Sequence, residues 1–137
     1  MNTQHENSYM MFFRGGKWYR DLSYDEIQNL IKRNHAWIEE LIAHGKATPG
    51  HALQPEGATV SGKNGGILSD GPFVESKEVI GGYLILNVQT LEEAIAIARA
   101  NPSLSYGGSI EIRPVAQECP LDVRARELAR EEQLTPA

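Results

Sequence analysis

Apolar positions along the chain fall into two periodicities. Tyr9-Met10-Met11-Phe12-Phe13 is a short, nearly continuous apolar run, as expected of a strand covered on both faces. Gly15-Gly16 ends it. From Ser23 the period changes to that of a helix. Ser23 and Glu26, three residues apart, predict a capping box, and Asp25 suits the positive end of the helix dipole. Ile27, Leu30, Ile31, Ile38, Leu41 and Ile42 recur at helical spacing and predict one buried stripe, with Trp37 on the opposite flank. Gly45 stops the helix.

Residues 46–54 carry mixed signals, because Pro49, Gly50 and Pro55 break any regular pattern. Ala58–Ser61 and Ile67-Leu68 flank Lys63-Asn64-Gly65-Gly66, and Asn-Gly between short apolar segments predicts a hairpin. Gly81–Val88 reads as an interior strand, since nothing charged interrupts it. Thr90, with Glu93 three positions on, predicts the start of a second helix. Leu91, Ala94, Ile95 and Ala98 would form its buried stripe, and Asn101-Pro102 its end. In the last strand Ile110 and Ile112 face one way, Glu111 and Arg113 the other.

The order is strand, helix, hairpin, strand, helix, strand. It predicts an α+β fold, a split βαβ arrangement with both helices on one face of an antiparallel sheet. The other face needs cover, and the sequence offers two candidates: a second subunit, or a C-terminal helix over Leu121–Leu134. Residues 9–116 form the expected domain, residues 1–8 a flexible start, and residues 117–137 a charged tail.

Length and composition narrow the function. A chain of 137 residues suits one domain with a modest core. Its formal charge of −5, with no basic run interleaved with aromatics, excludes nucleic acid as the expected partner. No apolar run approaches the ~20 residues that cross a bilayer, and Met1–Ser8 lacks a signal-peptide pattern. The single cysteine, Cys119, suits a reducing compartment, so a cytoplasmic location is expected. His5, His44 and His51 show no metal-ligand spacing, and neither a metal nor a cofactor is expected. Gly62–Gly66 lacks the ending of a phosphate loop, and there is no G-x-S-x-G elbow for a nucleophilic serine.

Candidate chemistry concentrates in Ser69-Asp70-Gly71-Pro72-Phe73-Val74-Glu75-Ser76-Lys77-Glu78. Pro72 fixes its own φ and turns Gly71 away from helical geometry, so a turn is expected there, capped by the Asp70 carboxylate. Glu75 and Lys77, two residues apart, share a face in extended chain. An acid, a second acid and an ammonium then converge on a small volume, as either a polar site or a well-anchored loop. On the first helix Asn34 projects near the stripe's centre and His35 at its edge. A half-buried imidazole titrates near neutrality and is a natural proton carrier. The candidate catalytic set is therefore Asp70, His35, Glu75 and Lys77.

Asp70-Gly71-Pro72-Phe73, then Glu75-Ser76-Lys77-Glu78 and Ile80-Gly81-Gly82-Tyr83, resemble the signature of the DGPF proteins in the YCII-related family. Tyr9–Arg14 resembles that family's first strand, and Gly107–Val115 its last. The resemblance implies a ferredoxin-like subunit that dimerises through its sheet, in the dimeric α/β-barrel superfamily. One branch of the family includes a dehydrochlorinase of aromatic degradation. Short relatives pair a helix histidine with a carboxylate just before a late proline, a position that matches Asn101-Pro102 here. Three readings stay open: a cofactor-free enzyme of proton-transfer, elimination or isomerisation type acting on a small-molecule ligand; a ligand-binding or sigma-factor-associated signalling module; and a structural dimer.

Overall fold

A computed structural model describes residues 7–15, 17–62, 66–72 and 79–134, with 66–72 described by their backbone. Strand β1 (Tyr9–Arg14) leads to helix α1 (Tyr24–Ala43), a two-residue strand β2 (Ala47–Thr48), strands β3 (Glu56–Ser61) and β4 (Gly66–Pro72), and strand β5 (Ile80–Leu86). Helix α2 (Leu91–Arg99), a 3₁₀ segment (Pro102–Tyr106), strand β6 (Ser109–Pro114) and helix α3 (Pro120–Leu134) follow. The main sheet runs β2-β5-β1-β6 with every neighbour antiparallel. This is the expected α+β, ferredoxin-like arrangement. It differs in one respect: the hairpin β3–β4 stands apart as its own ribbon. The sheet's outer strand is instead β2, inside the segment whose sequence reads as irregular. Two residues carry too little periodicity to be seen.

The ends of α1 form as their residues dictate. The Ser23 hydroxyl accepts the Glu26 N–H at 3.1 Å, and the Glu26 carboxylate accepts the Ser23 N–H at 2.8 Å. At the far end Gly45 takes φ +70°, which lets its N–H reach the Ile42 carbonyl at 3.0 Å and the Lys46 N–H reach Leu41 at 2.8 Å. The Thr90 hydroxyl caps α2 through the Glu93 N–H at 3.1 Å.

The core lies between the helices and one face of the sheet. Tyr9 and Met11 of β1 and Leu84 and Leu86 of β5 meet Ala94 and Ala98 of α2; Met11 and Leu86 are 0% exposed. The alanines allow the close approach expected of them. The stripe of α1 is rotated from the expected one. Leu30 is buried and Ile27, Asn34, Trp37, Ile38 and Leu41 are half-buried, while Ile31 and Ile42 are exposed, as is Leu91 on α2. Trp37 causes the rotation: its ring packs edge-on against Phe13 at 6.2 Å, and its indole N–H donates to the Ile97 carbonyl at 3.2 Å. Burying so large a ring outweighs burying two isoleucines at the margins.

Strand alternation puts Met10, Phe12, Tyr83 and Ile85 on the opposite face, all four half-buried. The continuous apolar run of β1 predicts cover on both sides. Among the described residues the helices cover one.

Candidate functional site

Beneath α1 the packing leaves an open cavity of about 270 Å³, lined by Phe13, Ile38, Tyr83, Leu84 and the stretches Pro49–Ala52 and Gly81–Gly82. Its origin is local. Gly82 and Ala52 pair as a bridge beside β5, and neither carries a side chain large enough to fill the space under Ile38. Neither glycine here can be replaced by a larger residue without movement. A Cβ on Gly82 would lie 3.0 Å from the His51 carbonyl oxygen, and one on Gly50 would lie 2.0 Å from that of Tyr83. The cavity is therefore walled by close-approaching backbone on one side and by apolar side chains on the other.

The DGPF segment is tied to this wall through the chain. β4 carries Asp70 opposite Ala58, with Gly71 and Pro72 opposite Gly57 and Glu56. The expected turn at Gly71-Pro72 is thus the end of a strand. Pro72 fits because a two-stranded ribbon has free edges and makes no demand on the missing N–H. The chain is described again from Val79, whose carbonyl accepts the Gly15 N–H at 3.1 Å, and it runs directly into Gly81-Gly82. Glu75 and Lys77 lie outside the described residues, as does the side chain of Asp70.

His35 is exposed on α1, not half-buried as its place at the edge of the expected stripe suggested. The rotation of the stripe toward Trp37 accounts for this. The residue of α1 that meets the late Asn-Pro pair is the neighbouring Asn34. Its side-chain oxygen accepts from the Asn101 amide at 3.2 Å. Asn101 is 4% exposed, and its own oxygen accepts both the Ser103 N–H, at 2.9 Å, and the Ser103 hydroxyl. The polar position expected on the stripe therefore finds a partner in a neighbouring amide. Two amides carry no exchangeable charge near neutrality, so this junction fastens the 3₁₀ segment to α1 and cannot act as an acid–base dyad.

One titratable pair escapes sequence reasoning. His51 Nδ1 lies 2.8 Å from the Tyr83 hydroxyl, with the rings 5.8 Å apart. Pairing of Ala52 with Gly82 sets His51 beside Tyr83, so both side chains lie on the face away from α1. The two are far apart in sequence, and His51 sits in the irregular segment, so no local signal announces them. A second hollow of about 470 Å³ runs between α1 and α2 over Trp37, Leu41 and Ile97, with Lys46 and Glu93 3.5 Å apart at one end. It is the larger of the two and lies on the helical side of the sheet. Among the described residues no cluster of three or more His, Cys, Asp or Glu side chains could hold a metal ion. Among them too, no helix is long and apolar enough to cross a membrane.

In comparison with known proteins, the model of the YCII-related domain matches residues 11–118 of the chain. The chain belongs to the YCII-related family. It is also similar, at 33% identity over 101 residues, to an uncharacterized protein of Rhizobium meliloti (strain 1021), a match covering 69% of this chain and 79% of that protein.

Proposed function

We propose that this YCII-related protein is a cofactor-free enzyme that binds a small molecule beneath α1 and moves a proton on it, by elimination or isomerisation. One observation carries the reading: the cavity's glycine wall is the direct continuation of the segment bearing Asp70, Glu75 and Lys77. Phe13, Ile38 and Leu84 supply apolar surface for the body of the ligand. The carboxylates supply the proton acceptor and the ammonium a donor to developing negative charge, which is the whole inventory that such chemistry needs. The Asn34–Asn101 junction takes no part, since neither amide exchanges a proton near neutrality.

The protein acts as a homodimer in this reading, joined through the sheet face that Met10, Phe12, Tyr83 and Ile85 leave half-buried. Cytoplasmic location belongs to the same proposal, because a single exposed Cys119 suits a reducing compartment.

A ligand screen by thermal shift tests the site. A true ligand at about a hundredfold its Kd stabilises by ~2.7 kcal/mol and raises Tm measurably. Asp70→Asn should keep the unliganded Tm of the wild type and lose both the ligand-induced rise and any turnover. A variant that melts lower yet still responds to the ligand makes Asp70 structural and removes the proposal's acid.

A further inference from the structure

The His51–Tyr83 pair is a titratable contact that the proposed reaction leaves unused, and its position has a traceable cause. On the outer strand Thr48 pairs with Ile85 and Ala52 with Gly82, so three residues, 49–51, stand opposite two, Tyr83 and Leu84. The extra residue is a β-bulge, and a bulge turns the side chains that follow it to the other face. Without it His51 would fall opposite Gly82, on the α1 side. With it His51 falls opposite Tyr83, whose N–H donates to the His51 carbonyl at 3.1 Å. Pro49 suits a bulge because it has no N–H to place in a ladder. Gly50 suits it because a Cβ there would lie 2.7 Å from the Tyr83 ring carbon Cδ2. Gly50 thus backs the ring, and the imidazole Nδ1 meets its hydroxyl at 2.8 Å.

We infer that Tyr83 is a catalytic residue of the proposed enzyme: its hydroxyl donates to a carbonyl oxygen of the substrate across the glycine corner of the cavity, and His51 positions it. Both residues are among those that line the open cavity, and Gly50, Gly81 and Gly82 put no side chain at that corner. The inference rests on the proposed reaction and deepens it. It names a substrate class, carbonyl compounds with a removable proton on the adjacent carbon.

A carboxylate of the DGPF segment takes that proton. The C–H electron pair becomes a carbon–carbon double bond, and the carbonyl pair moves onto oxygen. The enolate oxygen accepts from the Tyr83 hydroxyl. In isomerisation the carboxylic acid returns the proton to a different carbon; in elimination the carbonyl re-forms as a leaving group departs with its electron pair. Neither outcome needs an oxidant or a co-reactant. A fixed donor aimed at charge that develops during reaction stabilises it strongly, because no solvent has to reorganise. The chemistry also sets the direction of the pair. A phenol has one proton, so Tyr83 serves a ligand when Nδ1–H donates to the phenol oxygen and the O–H points onward.

Binding of an oxyanion tests this without a known substrate. The probe is 4-nitrophenol at a pH where it is ionised, its binding followed by its visible absorbance. An apolar cavity of about 150 Å³ takes up benzene, so about 270 Å³ has room for the probe. The wild type should bind the phenolate. Tyr83→Phe should weaken that binding about ten- to a hundredfold with native circular dichroism, the loss expected for one hydrogen bond to a charged group. His51 is exposed, so its variants read the same contact should Tyr83→Phe fail to fold. His51→Ala should weaken the phenolate, whereas His51→Asn, whose amide N–H can stand in for Nδ1–H, should restore it. A merely structural imidazole gives no such split. Equal binding by the wild type and Tyr83→Phe, or by the two His51 variants, overturns the inference alone. So does a wild type that ignores the phenolate yet responds to other small molecules in the thermal-shift screen. A wild type that responds to neither overturns the proposed site, and this inference with it.

Discussion

The two faces of the main sheet are built from the same strands, residue by residue in alternation, yet they are packed very differently. On the helix side Met11 and Leu86 are fully enclosed. Their immediate neighbours Met10 and Ile85, pointing the other way, are half-buried. Composition does not separate the faces, since both carry large apolar side chains. What separates them is cover: α1 and α2 supply it on one side, and no helix of the described chain is packed over the other. A strand that is apolar on both faces therefore signals either a third layer or a second molecule.

The largest expected effect tests that contrast directly. Leu86→Ala should cost about 2–5 kcal/mol in urea denaturation, because it opens a hole in an enclosed core. Ile85→Ala, measured on dilute monomeric protein, should cost much less and should act mainly by weakening association. Equal costs in the monomer would mean that the open face is covered within the chain after all. Polar groups sharpen the same comparison. Asn101→Ala, on the covered side, should cost about 1–3 kcal/mol, since it strips the Ser103 N–H and Asn34 of their partner in a buried place. Glu111→Gln, which breaks the half-exposed ion pair with Arg14 on the open face, should cost about 0–1 kcal/mol.

The smallest effect is on α3. Arg126 lowers the pKa of Glu118, so the folded tie is present above the ordinary carboxylate pKa and is lost as pH falls through the depressed one. The helical signal of the tail should fall on acidification below the ordinary range, and Glu118→Gln should abolish that pH dependence while leaving the domain's melting untouched.

Much of this fold was legible from residues close together. Ser23 with Glu26, Gly45, and Thr90 with Glu93 each predict a helix boundary, and each boundary is there, because capping is a contact across three or four residues. Gly81–Val88 reads as interior from its uninterrupted apolar run. What escaped depends on distant partners. The rotation of α1 follows from Trp37 meeting Phe13 and Ile97, which no helical wheel contains. β2 is too short to show a period. The pairing of Asn34 with Asn101, and of His51 with Tyr83, needs the sheet to be assembled first. Asp70-Gly71-Pro72 carries strong turn chemistry, but pairing with Glu56–Ala58 holds it extended. The shape of the cavity was not legible, because it arises where side chains are small, and absence of bulk has no periodic signature.

The outer strand β2 has a consequence for how the protein survives at high concentration. With two residues, and Pro49 directly behind them, it gives an incoming stranger's backbone almost nothing to zip onto. Runaway stacking of sheets, the first step toward fibrils, is thereby denied a template along that border.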